Sequence, residues 1–431
     1  MTESINDSIK SKPEPSPFFR WSILVVISLA MFGNYYIYDS ISPLADLLVK
    51  QLDFTNSDIG LLQGIYSVPN IIMVLIGGII IDKIGTRIST FIFTFLCLVG
   101  AGLTAAFPDI TTMAIGRLIF GLGAESMIVA VTTVIGRWFK GKQLSFAFGL
   151  NLTLARLGSF AALNSPSWAK GLYEFWQYPL LISVGAGVIA IACAVLYWGM
   201  DSYAENNYSL RPVPKQDKII LSEVFKFSTS YWFVVMLCVT FYSAVFPFQT
   251  FAVKFFVEAH NTTRELGGFL SSTLTLSAMI LTPLFGLFAD YVGKRSLLMM
   301  FGSLLLIPVY LLMAYTDISL YIPMALMGIS FSLIPAVMWP SVAIIVDEAR
   351  LGTAYGLMTM IQNIGLAGFN FLIGWANDFS GASASNPDGY TMGMWIFSVL
   401  GFLGLFFAFM LRRSELGPKG HGLEKPATAY E

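Results

Sequence analysis

The sequence predicts an all-α membrane protein: twelve transmembrane helices arranged as two six-helix bundles related by a pseudo-twofold axis. Three observations carry that prediction. The composition is too apolar for a soluble chain, twelve apolar runs are long enough to span a bilayer, and the two halves repeat each other at an offset of 207–208 residues.

Of 431 residues, 56% are apolar and 12% charged. Soluble globular chains run at about 45–50% and about 25%. The mean hydropathy is +0.71. Such a chain is expected to be neither a soluble enzyme, a disulfide scaffold, nor a disordered protein. The formal charge of −1 supplies no basic field to attract nucleic acid. The 38 glycines and 15% aromatics suit helices in lipid. Cys97, Cys193 and Cys238 each sit inside an apolar run and show no metal or disulfide spacing. No cofactor is expected.

A bilayer core needs about 20 apolar residues per helix. The runs fall at 19–45, 57–81, 88–107, 111–136, 143–167, 177–199, 229–257, 265–289, 295–315, 318–346, 352–376 and 391–412. Residues 1–18 lack the apolar core of a signal peptide and read as an N-terminal tail. The polar stretch 200–228 reads as a linker between the bundles 19–199 and 229–412, and 413–431 as a C-terminal tail. With the N-terminus inside, Lys50, Lys170, Lys254 and Arg264 fall outside and Arg117 and Arg156 within spans, leaving 19 of 25 basic residues inside. That bias places both termini in the cytoplasm.

The repeat is explicit. GIIIDKIGTR at 78–87 matches GLFADYVGKR at 286–295, AFGLNLTLARLG at 147–158 matches AYGLMTMIQNIG at 354–365, and Asp58-Ile-Gly60 matches Glu265-Leu-Gly267. Parallel repeats place a substrate site at the midplane between halves. In the first pair, Gly78 and Gly286 would let a neighbouring helix approach. Asp82 and Asp290 would favour a helix N-terminus, and Arg87 and Arg295 would pair across the loop through Gly85 and Gly293. The expected product is a breakable latch on the cytoplasmic side.

That G-x-x-x-D-x-x-G-x-R loop resembles the signature between the second and third helices of the major facilitator superfamily. Arg117-x-x-x-Gly121-x-Gly123 resembles its fourth-helix motif. The resemblance covers roughly residues 20–412 and implies a twelve-helix transporter that rocks two halves about a central site. The strings FGNYYIYD (32–39), YSVPN (66–70), GRLIFGLGAES (116–126), WFKGK (138–142) and ARLGS (155–159) are similar to the group called major facilitator superfamily domain-containing protein 1, whose animal members are lysosomal dipeptide transporters. Residues 1–18 carry no acidic dileucine sorting signal, which makes a prokaryotic plasma membrane the simpler setting and a lysosomal membrane the less favoured one. The resemblance also implies that Glu125 and Arg156 anchor the two ends of a dipeptide. Animal members are associated with an accessory membrane glycoprotein; nothing in this sequence calls for one, and a monomer is expected.

Charges at the bilayer centre cost about 2.5–3.5 kcal/mol each, so each is a functional candidate. At 1.5 Å per residue, Arg117 lies about 9 Å deep, Glu125 about 21 Å deep, and Arg156 about 20 Å deep from the opposite face. Glu125 and Arg156 therefore meet near the midplane. An acid and a base at one level suit a zwitterion, with Arg156 gripping a carboxylate through its fork. The competing reading is a static Glu125–Arg156 bridge. Arg117 serves either coupling or packing, paired with Asp39 or bound to carbonyls. Asp39, with Tyr35 and Tyr38, either binds an amine and gates the outer side or belongs to an interfacial belt. Tyr66 completes this group of candidate contacts. In the other half Asn363 is the repeat equivalent of Arg156 and Ser332 that of Glu125. There, Gln249, Gln362 and Asn363 offer neutral polar groups, and Trp339 an aromatic wall.

No nucleotide-binding loop is present, so ATP drive is not expected. A Glu125 facing Arg156 should stay charged, which favours facilitated diffusion over proton symport. The sequence therefore points to a dipeptide transporter. The alternatives are a proton-coupled peptide symporter and an organic-anion carrier in which Arg156 and Arg117 grip the ligand. Catalysis is not expected.

Overall fold

The computed structural model describes residues 12–139, 143–210, 227–347, 350–418 and 420–426. Lys140 and Lys142 of the WFKGK string, Lys419, residues 427–431 of the C-terminal tail, and most of the N-terminal tail and the linker lie outside them. Fourteen α-helices occur among the described residues: α1 (Pro17–Asp39), α2 (Ala45–Leu52), α3 (Asn56–Gly64), α4 (Ser67–Ala106), α5 (Ile110–Phe139), α6 (Leu144–Leu163), α7 (Ser165–Trp168), α8 (Gln177–Asn207), α9 (Thr229–Ala259), α10 (Arg264–Val292), α11 (Arg295–Tyr315), α12 (Tyr321–Ile345), α13 (Leu351–Phe379) and α14 (Thr391–Glu415). No strand is described.

Eleven segments are long and apolar enough to cross a membrane. One of them, Ile76–Ala106, runs through Gly85 and so joins two crossings, the earlier of which is the second in order. That second crossing begins in α3, turns at Ile65–Tyr66, continues in α4 and ends at Gly85, whose φ of 80° and ψ of 165° lie outside the helical region. The rest of α4 is the third crossing. The crossings then number the twelve that the sequence predicts. Its rim exposes large apolar side chains such as Ile79, Ile189, Leu287 and Phe406, which water would penalise and acyl chains accept.

Both second glycines of the repeated loop need to be glycine. Gly85 has φ 80° and its repeat equivalent Gly293 has φ 68°, a region that side chains disfavour. At Gly286, the first glycine of the second loop, no close helix approach occurs; other glycines carry it. A Cβ on Gly286 would meet nothing within 4 Å, whereas one on Gly158 would lie 2.2 Å from the Phe32 carbonyl and one on Gly121 2.3 Å from the Tyr66 carbonyl.

The face carrying both chain ends (the near face) is held within each half. Arg87 does not reach across its own loop. Its Nε meets Asp201 at 3.0 Å and its guanidinium also pairs with Glu205. Arg137 joins the same two carboxylates at 3.1 and 3.0 Å. The reason is that α8 runs to Asn207, past the predicted end at 199, and brings Asp201 and Glu205 along. Residues 201–207 are therefore helix, not linker. The Asp290–Arg295 pair forms as the sequence suggested. Lys254, expected in an outside loop, is instead buried in α9, 2.8 Å from Glu258 and 2.7 Å from the Tyr390 hydroxyl.

On the opposite (far) face the halves lock together. One apolar cluster spreads from α9–α14 onto Ile41, Leu44, Leu48, Ile59 and Leu62 of the N-terminal half. Arg264 of α10 meets Asp46 of α2 at 2.6 Å, and Lys170 meets Glu265 at 2.6 Å. The far face is closed.

Candidate functional site

Between the halves lies a cavity of about 160 Å³. One water needs only about 10–15 Å³ on the same measure, so the cavity has room for a small organic molecule. From the N-terminal half it is lined by Tyr35, Tyr38 and Asp39 (α1), Tyr66, Glu125 (α5), and Arg156 and Ser159 (α6). From the other half come Tyr242, Phe246 and Gln249 (α9), Thr275 (α10), and Gln362 and Asn363 (α13). Glu125 and Arg156, on successive antiparallel spans, share one chamber.

Neither charge is spent on the other. No ion pair within 4.0 Å joins them among the described residues. Glu125 accepts one hydrogen bond, from the Tyr66 hydroxyl at 3.2 Å, and Tyr66 is fixed by the Tyr38 and Phe120 rings at 4.8 and 5.4 Å. Arg156 lays its guanidinium over Phe331 of α12, 5.5 Å from the ring centre. Its N–H groups make no hydrogen bond among the described residues, so the fork that would grip an anion has no partner there. The static bridge is thus absent from this structure. The argument that Arg156 keeps Glu125 charged loses its contact.

Arg117 is buried to 1% exposure and takes no part in the chamber. Its Nε donates to the Leu62 carbonyl at 3.1 Å, Nη1 to Ile37 at 3.1 Å, and Nη2 to Tyr38 at 3.2 Å and to Gln63 Oε1 at 2.8 Å. Four of its five donors are consumed where α1 ends and α3 runs into α4. Of the two pairings left open for it, the carbonyls are the one observed. Gly121 and Gly123, a turn or two along α5, allow the close approach of Tyr66 and Phe93 backbone.

Asp39 is buried, interacts with the Ser159 hydroxyl and feels both Arg156 and Arg117. In the C-terminal half, Asn363 donates from Nδ2 to the Thr359 carbonyl at 3.0 Å. Its Oδ1 is buried without a partner, and an unpaired buried acceptor costs about 1–3 kcal/mol until something supplies an N–H. Ser332 is spent on its own helix, donating to Gly328 at 2.7 Å. Trp339 stands behind the wall rather than in it. Its Nε1 donates to the Tyr242 hydroxyl at 3.0 Å, and Tyr242 does the lining. Tyr242, Phe246, Ser159 and Thr275 were not singled out in the sequence.

Comparisons with known proteins place this geometry. The family model described as Major Facilitator Superfamily matches residues 27–255 and 232–429. The chain is 32% identical over 375 residues to the Lysosomal dipeptide transporter MFSD1 of Danio rerio, covering 84% of this chain and 81% of that one. The Homo sapiens protein of the same name is also 32% identical over 375 residues, covering 84% and 81%. Among solved structures, a bacterial homologue of the human lysosomal transporter Spinster, in an inward-facing and occupied conformation, superposes with a TM-score of 0.76 at 16% identity, covering 93% of this chain and 98% of that one.

Proposed function

The chain belongs to the Major Facilitator Superfamily, and on that premise we propose that this multi-pass membrane transporter moves dipeptides by alternating access. The single observation that carries the substrate is the unpaired acid and unpaired base in one small chamber. The ammonium of a dipeptide meets Glu125 and its carboxylate meets the unpartnered fork of Arg156. The two ends lie about 5–7 Å apart at about 3.3–3.6 Å per residue. Asn363 Oδ1 accepts from the ammonium or the peptide N–H. Tyr38, Tyr66, Tyr242 and Phe246 pack against the side chains without reading them. Resemblance to the animal dipeptide transporters supports the same reading.

The mode is uniport. A bound zwitterion compensates Glu125 and Arg156 together, so no proton has to accompany it. The organic-anion alternative required Arg117 as a second grip, and its donors are committed to carbonyls. The protein works as a monomer with both termini in the cytoplasm, as the basic-residue bias indicates, in a prokaryotic plasma membrane.

Competition for flux in proteoliposomes tests the reading. Free dipeptides are expected to compete, while N-acetylated and C-amidated ones compete at least tenfold more weakly. Equal competition by the acetylated peptide overturns the ammonium site. A pH-sensitive dye trapped in the vesicles is expected to stay silent during uptake; acidification overturns uniport.

A further inference from the structure

The last residues of α13 reach across the far face to the first residues of α3. Asp378 Oδ1 accepts from the backbone N–H of Asn56 at 2.8 Å and from its Nδ2 at 2.9 Å. Oδ2 accepts from the backbone N–H of Ser57 at 2.7 Å and from its hydroxyl at 2.5 Å. These are the first two helical positions of α3, whose N–H groups have no partner within the helix. The third donor is already satisfied inside α3: Thr55 accepts from Asp58 N–H at 3.1 Å and Asp58 returns the bond to Thr55 N–H at 2.8 Å. The N-terminal half therefore caps its own third donor and leaves the first two to a carboxylate from the other half.

We propose that Asp378 is a trans-cap that selects the far-face-closed state, so that opening the far face requires withdrawing this carboxylate from the α3 N-terminus. The backbones around it are in contact, which leaves the cap no slack. A Cβ on Gly60 would sit 2.3 Å from the Asn370 carbonyl and one on Gly374 2.4 Å from that of Asn56. The device is one-sided. Across the repeat offset of 207, Gly60 corresponds to Gly267 and Asn370 to Leu163, and the helices cross closely there too: a Cβ on Gly268, the residue after Gly267, would lie 2.5 Å from the Leu163 carbonyl. The same offset of 207 carries Asp378 onto Gly171, which has no side chain. At that second crossing the one carboxylate–cation pair among the described residues is the solvent-facing Lys170–Glu265 pair, the kind of contact worth least, beside bonds from Ser167 to the Glu265 carbonyl at 3.5 Å and from Arg264 to the Tyr173 carbonyl at 3.4 Å. One far-face crossing is latched by charge on a helix dipole; its twin closes by packing.

The inference does not depend on what the substrate is. Spin labels replace Leu172 and Ala384, exposed far-face residues of the two halves, in the full chain reconstituted in nanodiscs. Asp378→Asn is expected to raise the open-to-closed ratio about tenfold or more, with Asp378→Glu partly restoring it. Asn56→Pro is the second variant. Proline is favoured at the first helical position, and Thr55 is already extended (φ −81°, ψ 166°) as a residue before proline must be. It removes the Asn56 N–H and side-chain donor while leaving α3 able to start. If it shifts the distance distribution the same way, the trans-cap stands even where Asp378→Asn fails to fold. If Asn56→Pro leaves the distribution within twofold of the parent, or lowers only the melting temperature, the proposal is wrong.

Discussion

At the residue scale, two arginines in the membrane divide the work. Arg117 is saturated by carbonyls and Gln63, so it is structure. Arg156 lies over the Phe331 ring and has no hydrogen-bond or ion-pair partner among the described residues, so it is available. Their predicted phenotypes differ accordingly. Arg117→Met strands several buried acceptors and is expected to cost about 3 kcal/mol or more, read as a large fall in melting temperature. Arg156→Lys keeps the charge but loses the two-pronged grip. It is expected to raise KM for dipeptides about tenfold with little change in melting temperature. Glu125→Gln is expected to abolish dipeptide flux while the protein stays folded, because no ion pair is lost; a variant that unfolds in detergent would revive the static bridge.

Helix ends and helix crossings decide the element scale. Running α8 on to Asn207 turns a predicted loop into a buried anchor, with Asp201 at 0% exposure between Arg87 and Arg137. Asp201→Asn leaves two guanidinium groups short of a carboxylate and is expected to cost about 3–5 kcal/mol, measured as loss of thermal stability with unaltered substrate selectivity. The α1–α6 crossing depends on an absent side chain. Gly158→Ala would force the helices apart at Phe32 and is expected to cost about 1–3 kcal/mol.

For the whole molecule, the far face is shut by an apolar seam, the Asp46–Arg264 bridge and the Asp378 cap, all joining one half to the other. Rocking must break these together. Arg264→Gln removes the bridge from Asp46, which is itself 1% exposed. A thiol introduced at the seam as Leu44→Cys is then expected to react several-fold faster with a membrane-impermeant maleimide than in the parent.

The sequence by itself determined the membrane class, the twelve-helix count and the twofold repeat, and it put Glu125 and Arg156 at one expected depth, two residues that line one cavity in the structure. Hydropathy, repeat offset and helical rise are one-dimensional quantities, and they survive folding. The glycines of the repeated loop were legible in the same way, since a positive φ admits almost nothing else. Tertiary structure alone decided which partner each charge takes. Arg87 chose Asp201 over Asp82's loop, Arg117 chose carbonyls over Asp39, Lys254 turned inward to Glu258, and Asp378 crossed to the other half. Each choice depends on where a helix ends in space and what faces it there. Lys254 and Glu258 are four apart on one helix, but residues 114 apart, such as Arg87 and Asp201, or 322 apart, such as Asn56 and Asp378, leave no periodic trace of having met.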